Sequence, residues 1–548
     1  MRKRIFVSQG GYLTDYKKTA VCNTVNSTFS ILAMPSEQTV YTGRLSDPVD
    51  DRDSGDQVRI ADFTEFKVDG TYCLKCGYRR SENFVIGHST YSPLKNILMS
   101  GIYFNRCGYD FTLDSIPEEH LGFVHGKCHN GYTPLYFGQQ MLDVNGGWHD
   151  GAGYGKYVTS AAITCAALMY SYILYPNSFE YPCGKKGILD ECRHGLEWLL
   201  KMQAPDGSIY HKCDTAEPVL SPQSPEKDTS EYFVFPTSAD ASIMFTAAAA
   251  LGARVFEAVD LSFSKTLSKA ASNSWLWIAN SSSYEPWTLP PGASGISAAD
   301  TSYEARGDSF AWMLCEMYSL TGNELFSDRF KDIVFFTDTT GFTLENAGGF
   351  GALSYILTAE KKEPSLVFYL KKKFGDRADK IILAMNSDSG YGVALGNRGF
   401  AGGYNCMSNM TVISDCIICQ TAYKIFRLDA YKNAAAELFQ YILGRNPAGI
   451  SYITGVGETS PMRPAHAQSI SSQSSPIPGM IVGGANMERS DEFSKWRLSS
   501  KTPPAKCYID NECSTSTNAT SSAFSAAAVL ASAFFDDSEG VSLGGEAT

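Results

Sequence analysis

Near residue 90 the spacing of apolar residues changes from runs of a strand's length to long segments with helical period. That switch divides the chain into an all-β part and a mainly α part. Before it, Ile5-Phe6-Val7, Thr19-Ala20-Val21, Phe29-Ser30-Ile31-Leu32 and Thr71-Tyr72-Cys73-Leu74 are short apolar or alternating runs separated by Gly, Asn, Asp and Pro. Seven or so such runs predict a small β-sandwich. The acidic, Gly- and Pro-punctuated stretch Asp47–Asp56 reads as a loop. After the switch, Tyr157–Tyr175 is one long Ala-rich segment, and Ile188–Met202 places Ile188, Cys192, Leu196 and Leu199 on one helical face. Similar segments recur at Ala239–Val255, Ser309–Thr321, Thr411–Phe426, Ala430–Leu443 and Ser521–Phe535. Long Gly-, Ser- and Pro-rich loops separate them, notably Asn280–Ser302 and Gly449–Lys506. Bundle helices are joined by short connections, so this pattern predicts an α/α barrel.

Composition supports one large core and narrows the partners. Apolar residues make up 44% of 548 and charged residues 19%. At about 150 residues per domain the length allows three or four domains, but a barrel absorbs several hundred residues in one fold. The 46 Lys and Arg against 58 Asp and Glu give a net charge of −12, which repels a phosphate backbone and excludes nucleic acid. No stretch of about 18 apolar residues offers a membrane span. The N-terminus MRKRIFVSQGGYL is basic without the apolar run of a secretory signal. The 15 cysteines are odd in number and scattered. As written, the chain is expected to be a reduced, cytoplasmic protein; the alternative is an exported one whose leader has been removed. The 12% of aromatic residues suits saccharide-lining rings, although core packing explains most single rings.

One segment is too specific to be composition. Gly146–Val158, GGWHDGAGYGKYV, resembles the GGW-(Tyr/His)-Asp-Ala-Gly-Asp-x-Gly-Lys-Tyr pattern of glycoside hydrolase family 9, the cellulase-type β-glucanases. Other pieces are similar to the family in the same order. Phe6-Val7-Ser8-Gln9-Gly10-Gly11-Tyr12-Leu13 resembles the first strand of the immunoglobulin-like domain that often precedes these enzymes. Leu189-Asp190-Glu191-Cys192-Arg193 through Met202-Gln203 resembles a family helix. Leu443–Pro447 with Ser451–Gly455, and Pro478–Asn486, resemble two family loops. The resemblance implies an immunoglobulin-like sandwich over residues 1–88 and an (α/α)6 barrel over residues 89–548.

It also implies a mechanism, and the residues that would run it are altered. Family members invert: a carboxylate base activates water while a carboxylic acid about 6.5–9.5 Å away protonates the leaving oxygen. In the family pattern two Asp, three positions apart, orient the water and act as base. Here the first is Asp150, but the base position is Gly153. The acid closes a segment that Tyr508-Ile509-Asp510 through Ser516-Thr517-Asn518 matches, and the next residue is Ala519 where the family has Glu. The Pro-His-His-Arg pattern reads Pro464-Ala465-His466-Ala467, and a Trp-Gly-Ser-Asn region reads Gly402-Gly403-Tyr404-Asn405. General acid–base groups contribute about 10²–10⁴-fold each, so losing both is expected to cripple hydrolysis. Asp510 and Glu512 are the candidates for a displaced acid. Trp148, Tyr154, Tyr404, His466 and Tyr508 are the candidate sugar contacts, with Tyr157 beside them; core packing is the alternative for Trp148.

Cys107, Cys128, His129 and His149 form a separate constellation. Two thiolates and two imidazoles suit a closed, structural tetrahedral Zn²⁺ site, and several family members resemble this arrangement. The alternative is buried cysteines and hydrogen-bonding histidines. A Ca²⁺ site that the family often builds on an Asp-Glu pair is reduced to Asp308-Ser309, with Asp308 as a helix N-cap. Cys73 and Cys76 read as strand cysteines, and Asp190-Glu191 as acids favourable to a helix dipole. Three functions stay open. The first is a catalytically impaired family 9-like protein with a β-glucan or cello-oligosaccharide cleft, acting in saccharide binding or as scaffold or regulator. The second is an active inverting β-glucanase or β-glucosidase using Asp150 and an unconventional acid on β-1,4 bonds. The third is a structural or interaction protein without sugar binding.

Overall fold

The computed structural model describes residues 5–112, 122–176, 178, 187–219, 222–281, 287–293, 307–359, 362–387, 389–396, 403–472 and 475–544. Most of the loop expected at Asn280–Ser302, and Gly402, lie outside them.

Nine strands precede the first helix: β1 Ile5–Phe6, β2 Thr19–Cys22, β3 Thr28–Ala33, β4 Gln38–Arg44, β5 Val49–Asp51, β6 Asp56–Asp62, β7 Gly70–Cys76, β8 Arg79–Arg80 and β9 Phe84–Ile86. They form two sheets, ordered β1-β2-β6-β5 and β4-β3-β7-β8, with β9 also pairing β7. Alternate residues such as Ala20 and Cys22, Phe29 and Ile31, and Leu74 and Cys76 meet between the sheets. The stretch Asp47–Asp56 is not the loop its composition predicts. Its Val49–Asp51 pairs with β6, Asp51 opposite Asp56, across a turn in which Asp51 Oδ1 accepts the Ser54 amide at 2.7 Å. The acidic residues conceal the strand because Asp50 faces water, where Gln57 Nε2 donates to its Oδ1 at 2.8 Å.

Twelve longer helices follow among the described residues. They are α1 Ser92–Tyr103, α2 Val158–Leu174, α3 Ile188–Lys201, α4 Ala239–Phe256, α5 Leu261–Asn280, α6 Gly307–Thr321, α7 Glu324–Ile333, α8 Gly348–Ala359, α9 Pro364–Asn386, α10 Ser408–Phe426, α11 Asp429–Ile442 and α12 Ser522–Asp536. The even-numbered helices α2, α4, α6, α8, α10 and α12 divide from the others by burial, α7 and α9 carrying the charged outer faces. α2, α4, α6 and α8 neighbour one another in turn, and α12 packs between α10 and α2. Ala- and Ser-rich sequences let these inner helices approach closely, while the outer helices cover them with amphipathic faces. This is a mainly α barrel of the (α/α)6 kind behind a β-sandwich. α4 is long and apolar enough to cross a membrane by composition, but 89% of it is buried inside the barrel.

Beside its own core, the sandwich adds residues to the barrel's. Phe6, Val21 and Val58, on the outer face of the first sheet, belong to the barrel cluster. The Gln9 amide donates to Leu443 O at 2.7 Å, and Gln440 Nε2 donates to Lys17 O at 2.7 Å.

Candidate active-site cleft and metal cluster

Inner helices α2, α10 and α12 bring their N-terminal ends to one side, and the loops entering them line a cleft of about 410 Å3. Asp150, Gly153, Tyr154, Tyr157 and Ala519 all line it, so the signature segment and the segment before α12 converge as the resemblance implied. Asp150 is held from four directions. Its Oδ1 accepts the Gly151 amide at 3.1 Å and the Ser522 amide at 3.2 Å. Its Oδ2 accepts the Ser521 hydroxyl at 3.1 Å and the Ser160 hydroxyl. The carboxylate thus sits at the N-terminus of α12, where the helix dipole favours negative charge. Burial nevertheless pushes its carboxyl above the usual range, against those hydrogen bonds.

At Gly153 a Cβ would meet only the Gly155 amide nitrogen at 4.0 Å, and its φ lies outside the left-handed region. A side chain fits there. Ala519 forms a bridge with Ala465, and its carbonyl accepts the Gly483 amide at 3.0 Å. Ala465 and Ala519, from segments far apart in the chain, therefore lie side by side.

Several expected sugar contacts sit elsewhere. Trp148 is core: its Nε1 donates to Glu191 Oε1 at 2.8 Å, and its ring fills the space opposite Gly195. His466 is buried between Ser469 Oγ at 2.9 Å and Asn105 Oδ1 at 2.7 Å, and burial pushes its pKa down to about 3. Tyr404 is buried away from the cleft, whose lining two residues further on is Cys406 and Met407. The Tyr508 hydroxyl donates to Asn518 Oδ1 at 2.7 Å, and its ring packs edge-on against Tyr452. Tyr154 keeps its place in the cleft wall, its hydroxyl donating to Gln223 O at 2.5 Å. Neither displaced-acid candidate is among the residues lining the cleft: Asp510 accepts the Met462 and Arg463 amides at 2.8 and 3.0 Å, and Glu512 pairs with Arg463. Glu191, in the first turn of α3 as expected, is also a fully buried partner of Arg106, with bonds of 3.0 and 2.8 Å. Burial alone would raise its carboxyl, but the guanidinium more than offsets that and holds it low. Asp308 lies inside the first turn of α6 rather than capping it, and its Oδ2 accepts the Ala347 amide at 2.9 Å.

Three further cleft carboxylates, Asp214, Glu217 and Asp491, carry no motif that marks them. Asp214, on a strand Lys212–Thr215, accepts the Tyr157 hydroxyl at 2.9 Å and faces Lys212 at 3.5 Å; burial raises its carboxyl. Asp491 caps the short helix Glu492–Arg497 and accepts the Ser516 amide at 2.9 Å.

Cys107, Cys128, His129 and His149 do converge, with one donor atom from each within 4.8 Å of all the others. His129 takes the left-handed region (φ 50°), which breaks the alternation that would otherwise aim adjacent Cys128 and His129 apart. Its Nε2 is held by Asp228 Oδ2 at 3.2 Å, leaving Nδ1 toward the cluster 3.3 Å from His149 Nε2. Burial pushes His149 down to about 4, whereas at His129 burial is outweighed by Asp228 and Cys107, which raise it to about 9. Two thiols, two imidazoles and a carboxylate orienting one ring fit a tetrahedral zinc site.

A model of glycosyl hydrolase family 9 matches residues 91–532, and one of the cellulase N-terminal ig-like domain matches residues 1–81. The chain is similar to a cellodextrinase of Butyrivibrio fibrisolvens, 28% identical over 93% of this chain and 95% of the relative. Among solved structures, a Zn-binding triple mutant of the family 9 endoglucanase J30 superposes with a TM-score of 0.88 at 27% identity, covering 96% of this chain and 100% of that one. AaCel9A in complex with cellobiose-like isofagomine gives 0.86 at 25% identity, covering 98% and 100%.

Proposed function

This chain belongs to glycosyl hydrolase family 9, and from that premise we propose that it binds β-glucan or cello-oligosaccharide chains in its cleft but is impaired in cleaving them. The observation that carries this reading is the pair Gly153 and Ala519. Both line the cleft at the positions where the family pattern has base and acid, and neither side chain can move a proton. Asp150 remains to orient a water or a sugar hydroxyl through its buried oxygens. The relative solved with a cellobiose-like ligand supports the substrate class. Such a protein acts by holding saccharide, as a binding, scaffolding or regulatory component.

The second reading, an active inverting β-glucanase, has Asp214 in its favour, a buried cleft carboxylate with a raised pKa. Incubation with cello-oligosaccharides separates the two. The impaired reading expects no turnover by the native chain, and gain of turnover in a Gly153→Asp, Ala519→Glu double variant. Native turnover abolished by Asp150→Ala or Asp214→Asn would sink it. Calorimetric titration with the same ligands tests binding itself; absence of heat at millimolar ligand would favour a purely structural protein.

We assign Cys107, Cys128, His129 and His149 as ligands of a structural Zn²⁺. With all four positions filled by protein, the ion supplies cross-linking rather than chemistry. His149 directly precedes Asp150, so the cluster anchors the loop that aims this carboxylate. Metal analysis after dialysis should find about one equivalent of zinc; less than half would count against the site.

A further inference from the structure

Leu344 lines the cleft, whereas Thr343, Glu345 and Asn346 line a second cavity of about 360 Å3 on the other side of their loop. Its wall is the first turns of α10, where Thr411, Ser414, Asp415 and Ile418 recur at helical spacing. Asp415 is 4% exposed, yet its carboxylate accepts no hydrogen bond from any described residue; the cation facing it is Arg377 of α9. Buried polar groups are normally satisfied, so an acceptor left open toward a cavity points to something that enters it.

Phe336, 90% exposed on the segment after α7, lines the same cavity. An exposed ring beside a carboxylate and a guanidinium matches what a pyranose presents: an apolar C–H face and pairs of adjacent hydroxyls. The hydroxyls of Thr337 and Thr411 line the same space, whose volume lies in the range of small-molecule sites, about 300–1,000 Å3. A divalent cation fits less well. Calcium takes about 6–8 oxygen ligands, but Asp308 is bonded to the Ala347 amide, Asp338 Oδ1 accepts Thr340 N at 3.0 Å, and Arg377 competes for Asp415.

We propose that this cavity is a second saccharide site, separate from the cleft, in which Phe336 stacks on the sugar ring and Asp415 and Arg377 bind its hydroxyls. The site does not depend on the cleft reading, and the test keeps the two apart. The full-length protein is titrated calorimetrically with cellotriose, alongside Phe336→Ala, Asp415→Asn and Gly153→Trp, the last filling open cleft space. Two equivalents are expected for the native protein. Phe336→Ala and Asp415→Asn should each lose one, or weaken it at least tenfold, while Gly153→Trp keeps that one. Because Phe336 is exposed, its truncation leaves the fold intact, and circular dichroism checks both variants. A stoichiometry untouched by both cavity variants would overturn the site, whatever the cleft does. So would absence of cellotriose heat in Gly153→Trp, or a cavity that answers only to Ca²⁺.

Discussion

Arg106 and Glu191 show what single residues conceal in a sequence. Asp190 and Glu191 are neighbours at a helix start, yet Asp190 accepts the Gly187 amide at 3.2 Å while Glu191 is fully buried against Arg106 and Trp148. Nothing in the local pattern separates the two; only the fold brings residue 106 to residue 191. Removing one partner of a buried ion pair strands the other, at a cost of about 3–5 kcal/mol. Glu191→Gln should therefore lower the denaturant midpoint at neutral pH. Because the pKa of Glu191 is depressed, its contribution is present above the ordinary glutamate range and fades as pH falls through the lowered value. The gap between variant and native protein should narrow in acid; a gap constant with pH would refute the pairing. Asp415 has the opposite sign. Burial raises its carboxyl to about 7 with Arg377 opposing, and Asp308, Asp338 and Glu345 line the same cavity. The native state then binds the proton more tightly than the unfolded chain, so stability falls as pH rises from about 4 to 7. Asp415→Asn should be near neutral at pH 4 and stabilising at pH 8 by up to about 4 kcal/mol, at about 1.4 kcal/mol per pKa unit. Equal unfolding midpoints at pH 8 would contradict it.

At the scale of elements, the inner helices are legible wherever apolar runs are long, as in the Ala-rich α2, α4 and α12 and the Val-, Ile- and Cys-bearing α10. Five helices gave no such signal. α8 reads GGFGALSYILTA, and its glycines look like a loop; they are there because a Cβ at Gly351 would meet the backbone of Trp312 on α6. α9 is Lys-rich on its outer face, and its period is carried by few apolar residues. The cleft was legible for a different reason. Asp150, Gly153 and Ala519 stand in the family-like segments, whereas Tyr404 stands in a looser match and falls two residues short of the lining. Close backbone contact also joins α1 to the loop at Gly479, whose φ is +84°. A Cβ on Gly101 would strike the carbonyl of Gly479, and backbone cannot rotate aside as a side chain can. Gly101→Ala should cost about 1–3 kcal/mol, read as a lower thermal midpoint. An unchanged midpoint would show that the helix shifts freely.

At the scale of the molecule, the cysteines change meaning. Fourteen described cysteines are free and twelve of those are buried, so most behave as small apolar residues. Cys107 and Cys128 stand apart only because the fold delivers two histidines to them. Chelation should lower the thermal midpoint and loosen the loop at Asp150, seen as faster amide exchange there; no change in either would remove zinc from the account. The two parts read from apolar spacing are also joined physically, because the sandwich, beside its own core, lends residues to the barrel's. Phe6 on β1 is 6% exposed, lies in the barrel cluster and packs edge-on against Tyr391 at 5.5 Å. Lys17 pairs with Glu437 of α11 at 2.8 Å. A sandwich joined by apolar burial of this kind should unfold with the barrel rather than before it. Phe6→Ala removes a buried ring from the shared core and should cost about 3–5 kcal/mol. Calorimetry should show one transition moved as a whole. A sandwich transition that moves alone, with the barrel's midpoint unchanged, would mean that the two parts are merely tethered.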